Sequence, residues 1–145
     1  MTLKIIIATM VKDEDDIVKE WVEYHGKIFG FTNLYIVDNY STDKTFTILQ
    51  KLKTKYNINI SREIDYEKKG ICMTDILHNN KCDIFFPIDI DEFIVFYNKQ
   101  KNLLRCDNII KYMNVLLNKI NFDFCKCDYI NPLKSENNMG LEGCS

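Results

Sequence analysis

The chain has 145 residues, of which 46% are hydrophobic and 28% charged, a composition that suits one folded domain and excludes a disordered chain. The net charge of -2 offers no basic surface for nucleic acid, and no stretch approaches the roughly 18 apolar residues of a transmembrane segment. Because the six cysteines lack metal-finger spacing and no signal peptide is recognisable, we expect free thiols and a soluble protein in the cytoplasm. A virus-encoded protein in the cytoplasm of a host cell fits the same expectation.

The first part of the chain alternates between strand and helix patterns. Residues 4–9 form a short apolar run that predicts a buried strand. Helical spacing follows over 17–29, after acidic residues at 13–16 of the kind that cap a helix N-terminus. A second strand is predicted at 33–37 and a second helix at 45–56, and the polar segment between them is rich in turn-forming residues.

The remainder continues the alternation. It predicts a third strand at 57–64, a short helix after Gly70, a fourth strand at 83–88 with Pro87 near its end, a helix capped by Asp107, a strand at 122–130, and loop or tail at 131–145. Strands that alternate with helices predict a three-layer α/β/α sandwich with a mostly parallel, Rossmann-like sheet. We expect a single domain over residues 1–145.

Three polar segments follow predicted strands, at 9–14, 38–43 and 89–92. In an open α/β sheet these segments share the edge where ligands bind. Asp89 and Asp91 carry the carboxylate oxygens that hard divalent cations choose, often together with substrate phosphates. Segment 9–14 contains no glycine, which argues against a glycine-rich phosphate cradle. The pattern indicates a metal-dependent site for a phosphorylated donor, and the alternative is a solvated acidic turn.

Four strings in this order and spacing resemble a known family: MVKDE at 10–14, EWVEYH at 20–25, LYIVDNYSTD at 34–43 and IDIDEFI at 88–94. Over roughly residues 3–97 the chain resembles the N-terminal, donor-binding part of glycosyltransferases of the family 2-like and family 92-like group. The resemblance implies the A-type nucleotide-diphospho-sugar transferase fold, Mn²⁺ or Mg²⁺ as cofactor, and a nucleotide-sugar donor, UDP-sugar being favoured. It also implies inversion at the anomeric carbon and a glycan, protein or lipid acceptor that the strings do not identify.

The resemblance assigns the nucleoside side of the site to the end of the first strand. Thr9 and Val11 would line the nucleoside pocket, partly through backbone groups. Lys12 would lie near the phosphates, with Glu14 at the same mouth.

Further roles follow from the resemblance at the second and fourth strands. Asp38 would accept a hydrogen bond from the base, as a carboxylate does from an imide N–H, and Asn39 would support that turn. Asp91 would coordinate the metal directly, while Asp89 would reach the ribose, or the metal through water. Glu92 is interpreted either as a support of the metal site or as part of a buried salt bridge.

The chain departs from the family pattern in two ways. Position 13 is Asp where the family usually has Asn. The catalytic base of inverting relatives lies after the Asp-x-Asp string, where this chain is short, so the catalytic residue is unknown. Asp128 is the candidate, with Asp123, Glu136 and Glu142 also in range.

Two other functions stay open on the sequence alone. One is a nucleotide-sugar-binding module without turnover, which needs a missing segment or a partner chain. The other is a sugar nucleotidyltransferase, although such an enzyme favours a glycine-rich basic first loop and residues 9–16 are acidic here.

Three further side chains have an ordinary structural interpretation beside a functional one. His25, next to Trp21 on one helix face, is expected to be a packed core residue and not a base. Lys68 and Lys69 precede Gly70 and either contact a diphosphate or form plain loop.

Overall fold

A computed structural model describes residues 3–98, 103–105, 109–119 and 140–142. The chain divides into two compact units, Met1–Phe93 and Ile94–Ser145. The elements of the first unit are β1 (Ile5–Val11), α1 (Val18–Phe29), β2 (Leu34–Asp38), α2 (Thr45–Tyr56), β3 (Asn59–Arg62), α3 (Lys69–Asn79) and β4 (Ile84–Pro87), with short 3-10 turns at Phe31–Asn33 and Tyr66–Lys68.

The first unit contains a four-stranded sheet in the order β3-β2-β1-β4, with every pair of neighbouring strands parallel. The register aligns Val11 with Asp38 and Asp38 with Arg62, so the carboxyl ends of β1, β2 and β3 are level. This sheet confirms the predicted Rossmann-like α/β class. The strand order reverses between β1 and β4, which makes the crevice beside these two strands the usual position for a ligand in such a sheet.

β1 occupies the centre of the sheet because its sequence, IIIATMV, tolerates burial on both faces. All seven of its residues are buried, as is typical of parallel strands that are covered by helices on both sides. On one face Ala8 and Met10 pack against Met73 of α3. Side chains alternate along a strand, so Ile7 and Thr9 point to the other face, which packs against α1. The two helical layers and the sheet give the predicted three-layer arrangement.

The start of α1 differs from the prediction. The residue before the helix is Ile17, and it makes no side-chain capping bond, so the expectation that the acidic residues at 13–16 cap this helix is wrong. Asp13 and Asp15 bond instead to the loop after β2, and the Glu14 N–H bonds to Thr45 at the start of α2, which local sequence patterns do not reveal. The helix ends as Gly30 takes a φ of 94°, a conformation that glycine adopts without a Cβ clash.

The second unit contains β5 (Phe96–Asn98), β6 (Leu103–Arg105), α4 (Ile109–Lys119) and β7 (Gly140–Glu142). β6 pairs antiparallel with β5 and parallel with β7. Strand β7 lies within 131–145, for which the sequence predicts loop or tail. A strand of three residues owes its existence to its pairing partner more than to local propensity, which explains the difference.

Several predictions lie outside the described residues, namely the cap Asp107, the strand at 122–130 and the candidate base Asp128. The expectation of a single domain over 1–145 stays a prediction. In the described part of the chain Cys72 and Cys82 are free thiols, as expected. Among the helices that the structure describes, none combines the length and apolar character that crossing a membrane requires.

Candidate functional site

The carboxyl edge of the four-stranded sheet brings the polar segments after β1, β2 and β4 into one region. The Asn39 N–H donates to the Val11 carbonyl at 2.8 Å, which joins the end of β2 to the end of β1. On the other side of β1, the Ile88 N–H donates to the Ala8 carbonyl at 3.0 Å, which continues the pairing past β4. The segments that the sequence analysis singled out therefore flank the reversal of strand order.

Asp13 locks the loop after β1 to the loop after β2. Its Oδ1 accepts hydrogen bonds from the Thr42 N–H at 2.6 Å, and from the Thr42 hydroxyl and the Asp43 N–H, each at 3.3 Å. Its own N–H donates to the Ser41 hydroxyl at 3.0 Å. Asp13 has a φ of 52°, in the left-handed region that Asp and Asn tolerate better than most residues. The residue therefore acts here as a strut between two loops.

A second set of bonds continues this junction into α2. Asp43 accepts from the Thr45 N–H at 2.8 Å and from the Asp15 N–H at 3.2 Å, and the Thr45 hydroxyl accepts from the Glu14 N–H at 2.8 Å. Desolvation raises the pKa of Asp43, but the bonds from Thr45 and Asp15 outweigh it and hold that pKa below its ordinary value. The predicted site residue Glu14 is thus tied to the loop after β2 through its backbone, and it is partly buried.

Asp38 is fully buried at the end of β2 and already has partners. Its Oδ2 accepts from Arg62 Nε at 2.9 Å, and both carboxylate oxygens lie 3.3 Å from the Ser41 N–H. The Arg62 guanidinium lies 4.1 Å from the ring centroid of Tyr40 and 3.9 Å from that of Phe46. A carboxylate has about four acceptor positions, but the Asp38 side chain is fully covered, so a base would have to displace a neighbouring group to reach it. The bond from Asp38 to a base stays a prediction.

Arg62 was missed by the sequence analysis although it is the direct partner of a predicted site residue. The available signal was a basic residue within the predicted third strand. The Arg62 side chain is 32% exposed, and its guanidinium is held in place by one carboxylate and two aromatic rings.

Asn39 and Lys12 support the same edge. The Asn39 side chain is buried and donates through Nδ2 to the carbonyls of Glu63 at 2.6 Å and Ile64 at 3.0 Å. The exposed Lys12 donates through Nζ to the Asn39 carbonyl at 3.1 Å. Asn39 therefore holds the turn after β2 against the segment after β3, and the roles of both residues toward a ligand stay predictions.

Thr9 and Val11 are both buried in β1. Within the part of the chain that the structure describes, the Thr9 hydroxyl is a buried polar atom without a hydrogen-bond partner, a rare state that invites an explanation. Any ligand contact at these two positions has to use the backbone or the end of the strand, since the side chains are covered.

The segment after β4 is a closed turn from Asp89 to Glu92. The Glu92 N–H donates to the Asp89 carbonyl at 3.0 Å, and the Glu92 carboxylate accepts from the Asp89 N–H at 2.9 Å. The buried Ile90 and a hydrogen bond of 3.1 Å from Trp21 Nε1 to the Glu92 carbonyl attach the turn to the core. Asp89 and Asp91 are exposed, and Asp89 is ion-paired with Lys69. We refer to residues 89–92 as the acidic turn.

The side chains of the acidic turn fit an open site for a hard cation. Mg²⁺ in particular is usually held by one or two carboxylates together with waters and substrate phosphates, and Asp89 and Asp91 present such carboxylates to solvent. In the described ranges, no three or more His, Cys, Asp or Glu side chains gather into a closed metal site. A cation at this turn would therefore need a ligand to complete its coordination.

The acidic turn is followed by an aromatic cluster around His25. The His25 ring centroid lies 4.5 Å from that of Trp21 and 5.6 Å from that of Phe93, and His25 Nδ1 donates to the Trp21 carbonyl at 2.9 Å. Burial lowers the pKa of His25 to about 4, although the bond to the Trp21 carbonyl opposes this shift. The prediction that His25 is a packed core residue is confirmed.

The sheet and its polar edge define the class: the chain has the Rossmann-like α/β fold of glycosyltransferases. It is similar to the mannosyltransferase PcManGT of Pyrobaculum calidifontis, solved with GDP-Man and Mn²⁺, with a TM-score of 0.53 and 14% identity over 70% of this chain and 30% of that one. It is also similar to TarS of S. aureus, with a TM-score of 0.50 and 18% identity over 69% of this chain and 18% of that one.

In sequence the chain is similar to a glycosyltransferase family 92 protein of Ricinus communis, which is 31% identical over 91 residues, or 60% of this chain and 16% of that protein. No protein-family model matches the chain. These similarities confirm the resemblance to A-type glycosyltransferases. The chain spans 16% to 30% of the length of these three proteins.

Proposed function

We propose that this chain carries the donor-binding part of a metal-dependent glycosyltransferase, which transfers a sugar from a nucleotide-diphosphate donor to an acceptor with inversion. The observation that supports this most directly is the exposed acidic turn, which follows β4 beside the reversal of strand order in a glycosyltransferase fold. The three similar proteins named above are glycosyltransferases, which favours sugar transfer over nucleotidyl transfer.

Each part of the edge has a distinct task in this proposal. Asp91 holds the metal and Asp89 reaches the ribose, or the metal through water. A bound Mn²⁺ or Mg²⁺ would neutralise the charge that develops on the leaving diphosphate. On the other side, Asp38 receives the base while Arg62 holds its carboxylate in place. Lys12, which is bonded to the Asn39 carbonyl, approaches the phosphates from the loop after β1.

The nucleotide of the donor is proposed to be UDP, on the resemblance of the four strings. PcManGT was solved with GDP-Man, so GDP is the comparison that a test must include. Calorimetric titration of the intact chain with UDP, and separately with GDP, in Mn²⁺ and then in EDTA, decides between them. Mn²⁺-dependent binding of one nucleotide supports the proposal and identifies the donor class. If neither nucleotide binds in Mn²⁺, the proposal is wrong for this chain.

A second function is favoured by one specific observation, the small share of its relatives that the chain spans. In that case the chain binds the nucleotide sugar, and a further segment or a partner chain supplies the acceptor site and the base. Donor hydrolysis or transfer by the isolated chain, measured as released UDP or GDP, separates the two. Turnover that is lost with Asp91→Ala excludes the binding module, and binding without any turnover supports it.

A further inference from the structure

Lys69 and Asp89 form an ion pair at the place where the proposed function needs a metal. Lys69 is the first residue of α3, and its Nζ donates to Asp89 Oδ1. The Lys69 side chain is 30% exposed and that of Asp89 is 58% exposed, so the pair lies at the rim of the site and is open to a ligand. Glu92 is close enough to add to the attraction on the ammonium.

An ammonium and a divalent cation compete for the same carboxylate. A cation that Asp91 holds and that Asp89 reaches through water meets the positive charge of Lys69 within a few ångströms, and like charges at that separation repel by an amount that solvent reduces only in part. The protein without a donor therefore has its own cation at Asp89.

A diphosphate changes this balance because it offers the ammonium a second partner. Lysine is a compact charge with three donors on a flexible stem, and it binds phosphate oxygens readily. When the ammonium turns to the phosphates, Asp89 is released toward the metal, and the metal in turn contacts the same phosphates. Metal binding alone leaves the ammonium beside the metal, and phosphate binding alone leaves Asp89 without a cation.

We propose that Lys69 competes with the divalent cation for Asp89, and that the donor's diphosphate ends the competition by taking the ammonium. This inference rests on the proposed function and adds that the metal and the donor bind cooperatively. The metal binds weakly by itself, and metal and nucleoside diphosphate bind tightly together. A nucleoside that lacks phosphates does not produce this coupling.

The test is Mn²⁺ binding to the intact chain without nucleotide, measured from the electron paramagnetic resonance signal of free Mn²⁺. Lys69→Gln is expected to raise Mn²⁺ affinity about tenfold, since it removes one nearby like charge from a partly solvated site. Lys68→Gln is the matched control. It removes the same charge one residue away, from a side chain that is 51% exposed and lies 3.9 Å from Glu63, and its effect is expected to stay within about twofold.

The second measurement repeats the Mn²⁺ titration at saturating UDP, GDP or uridine. In the parent chain the bound diphosphate is expected to raise Mn²⁺ affinity, and by linkage Mn²⁺ raises diphosphate affinity by the same factor. Lys69→Gln reduces that factor, whereas Lys68→Gln leaves it as in the parent chain. Uridine leaves the Mn²⁺ affinity as it is without nucleotide. A Lys69→Gln variant with unchanged Mn²⁺ affinity, or one indistinguishable from Lys68→Gln, overturns the proposal.

The two proposals fail separately. If the diphosphates bind in Mn²⁺ but Lys69→Gln leaves Mn²⁺ affinity unchanged, the competition is wrong and the donor site stands. If neither diphosphate binds to the parent chain, the donor function is wrong, and the coupling proposed for Lys69 falls with it whatever the Mn²⁺ titration shows. Circular dichroism of each variant establishes that the fold is retained before either reading is made.

Discussion

The two sides of the sheet edge use the same residue type in opposite ways. Beside β1 and β2, the carboxylates of Asp13, Asp38 and Asp43 accept hydrogen bonds from neighbouring loops, and Asp38 is fully buried against Arg62. In the acidic turn Asp91 is exposed to solvent. The buried Asp38 needs donors around it, and the exposed Asp13 and Asp43 are already bonded to loop N–H groups, whereas the exposed Asp91 keeps its oxygens for a ligand. On the first side the carboxylates mainly hold the loops together, and the second is the side that a cation approaches.

The largest difference between the two sides is expected in stability. Asp38→Ala should lower the free energy of unfolding by about 3 kcal/mol, because it removes charge-assisted hydrogen bonds from Arg62 and the Ser41 N–H at a buried position. Asp91→Ala, at an exposed position, should change it by less than about 0.5 kcal/mol. Urea denaturation of both variants measures the contrast, and equal losses would mean that the two sides do not differ as described.

Donor affinity should show the reverse order for Asp91. Asp91→Ala is expected to weaken nucleotide diphosphate binding about 100-fold in Mn²⁺ and hardly at all in EDTA, because only the metal-mediated part is lost. Asp75→Ala removes an exposed carboxylate from α3 and is the control for net charge. Calorimetry with the nucleotide that binds the parent chain gives both numbers. Equal affinity of Asp91→Ala and the parent in Mn²⁺ removes Asp91 from the metal site.

A third expectation concerns His25, which is buried against Trp21 and Phe93 beside the acidic turn. The pKa of His25 is lowered by burial from 6.5 to about 4, so the unfolded chain takes up a proton in the interval where the folded chain does not. Stability is therefore lost as the pH falls from about 6.5 toward 4. Between pH 7 and pH 5 the loss should be about 2 kcal/mol.

His25→Gln has no imidazole to titrate, so the difference between its unfolding free energies at pH 7 and pH 5 should be smaller than in the parent by that amount. Urea denaturation at both values tests this expectation. The same pH dependence in both proteins would show that His25 is not the group responsible. A confirmed effect would mean that the acidic turn is supported by a buried polar residue, as the loops after β1 and β2 are, and differs from them only in its exposed carboxylates.

The smallest effect is expected at the strut between the loops. Asp13→Ala should destabilise the chain by about 1 kcal/mol, since it removes the acceptor of three hydrogen bonds and places alanine at a φ of 52°. Asp13→Asn keeps an acceptor oxygen and tolerates that φ, so its loss should be clearly smaller. Thermal unfolding distinguishes the two. If Asn is as harmful as Ala, the negative charge matters more than the geometry.

The parts of this fold that are encoded locally could be predicted. The α2 boundaries agree with the predicted 45–56, and Pro87 closes β4 as its missing N–H requires. The Asp-x-Asp string and the three strand-end segments also fall at the carboxyl edge of the sheet. These features depend on residue spacing within one element, which a single sequence displays directly.

The partners of the charged side chains could not be predicted, because they are distant in the chain. Asp13 meets the loop after β2, Asp38 meets Arg62 across a strand pair, and Asp89 meets Lys69 at the start of α3. The acidic run at 13–16 matched a helix cap in pattern, yet tertiary hydrogen bonds took precedence. Register and loop packing decide such pairs, and neither is visible in local periodicity.

The chain contains one tryptophan, and its indole N–H is bonded to the carbonyl of Glu92. Trp21 is fully buried, so its fluorescence is insulated from solvent and responds chiefly to changes in this hydrogen bond and in the rings packed around it. A ligand that displaces the Glu92 carbonyl should therefore change the fluorescence of Trp21, so that binding at the acidic turn could be followed without an added label.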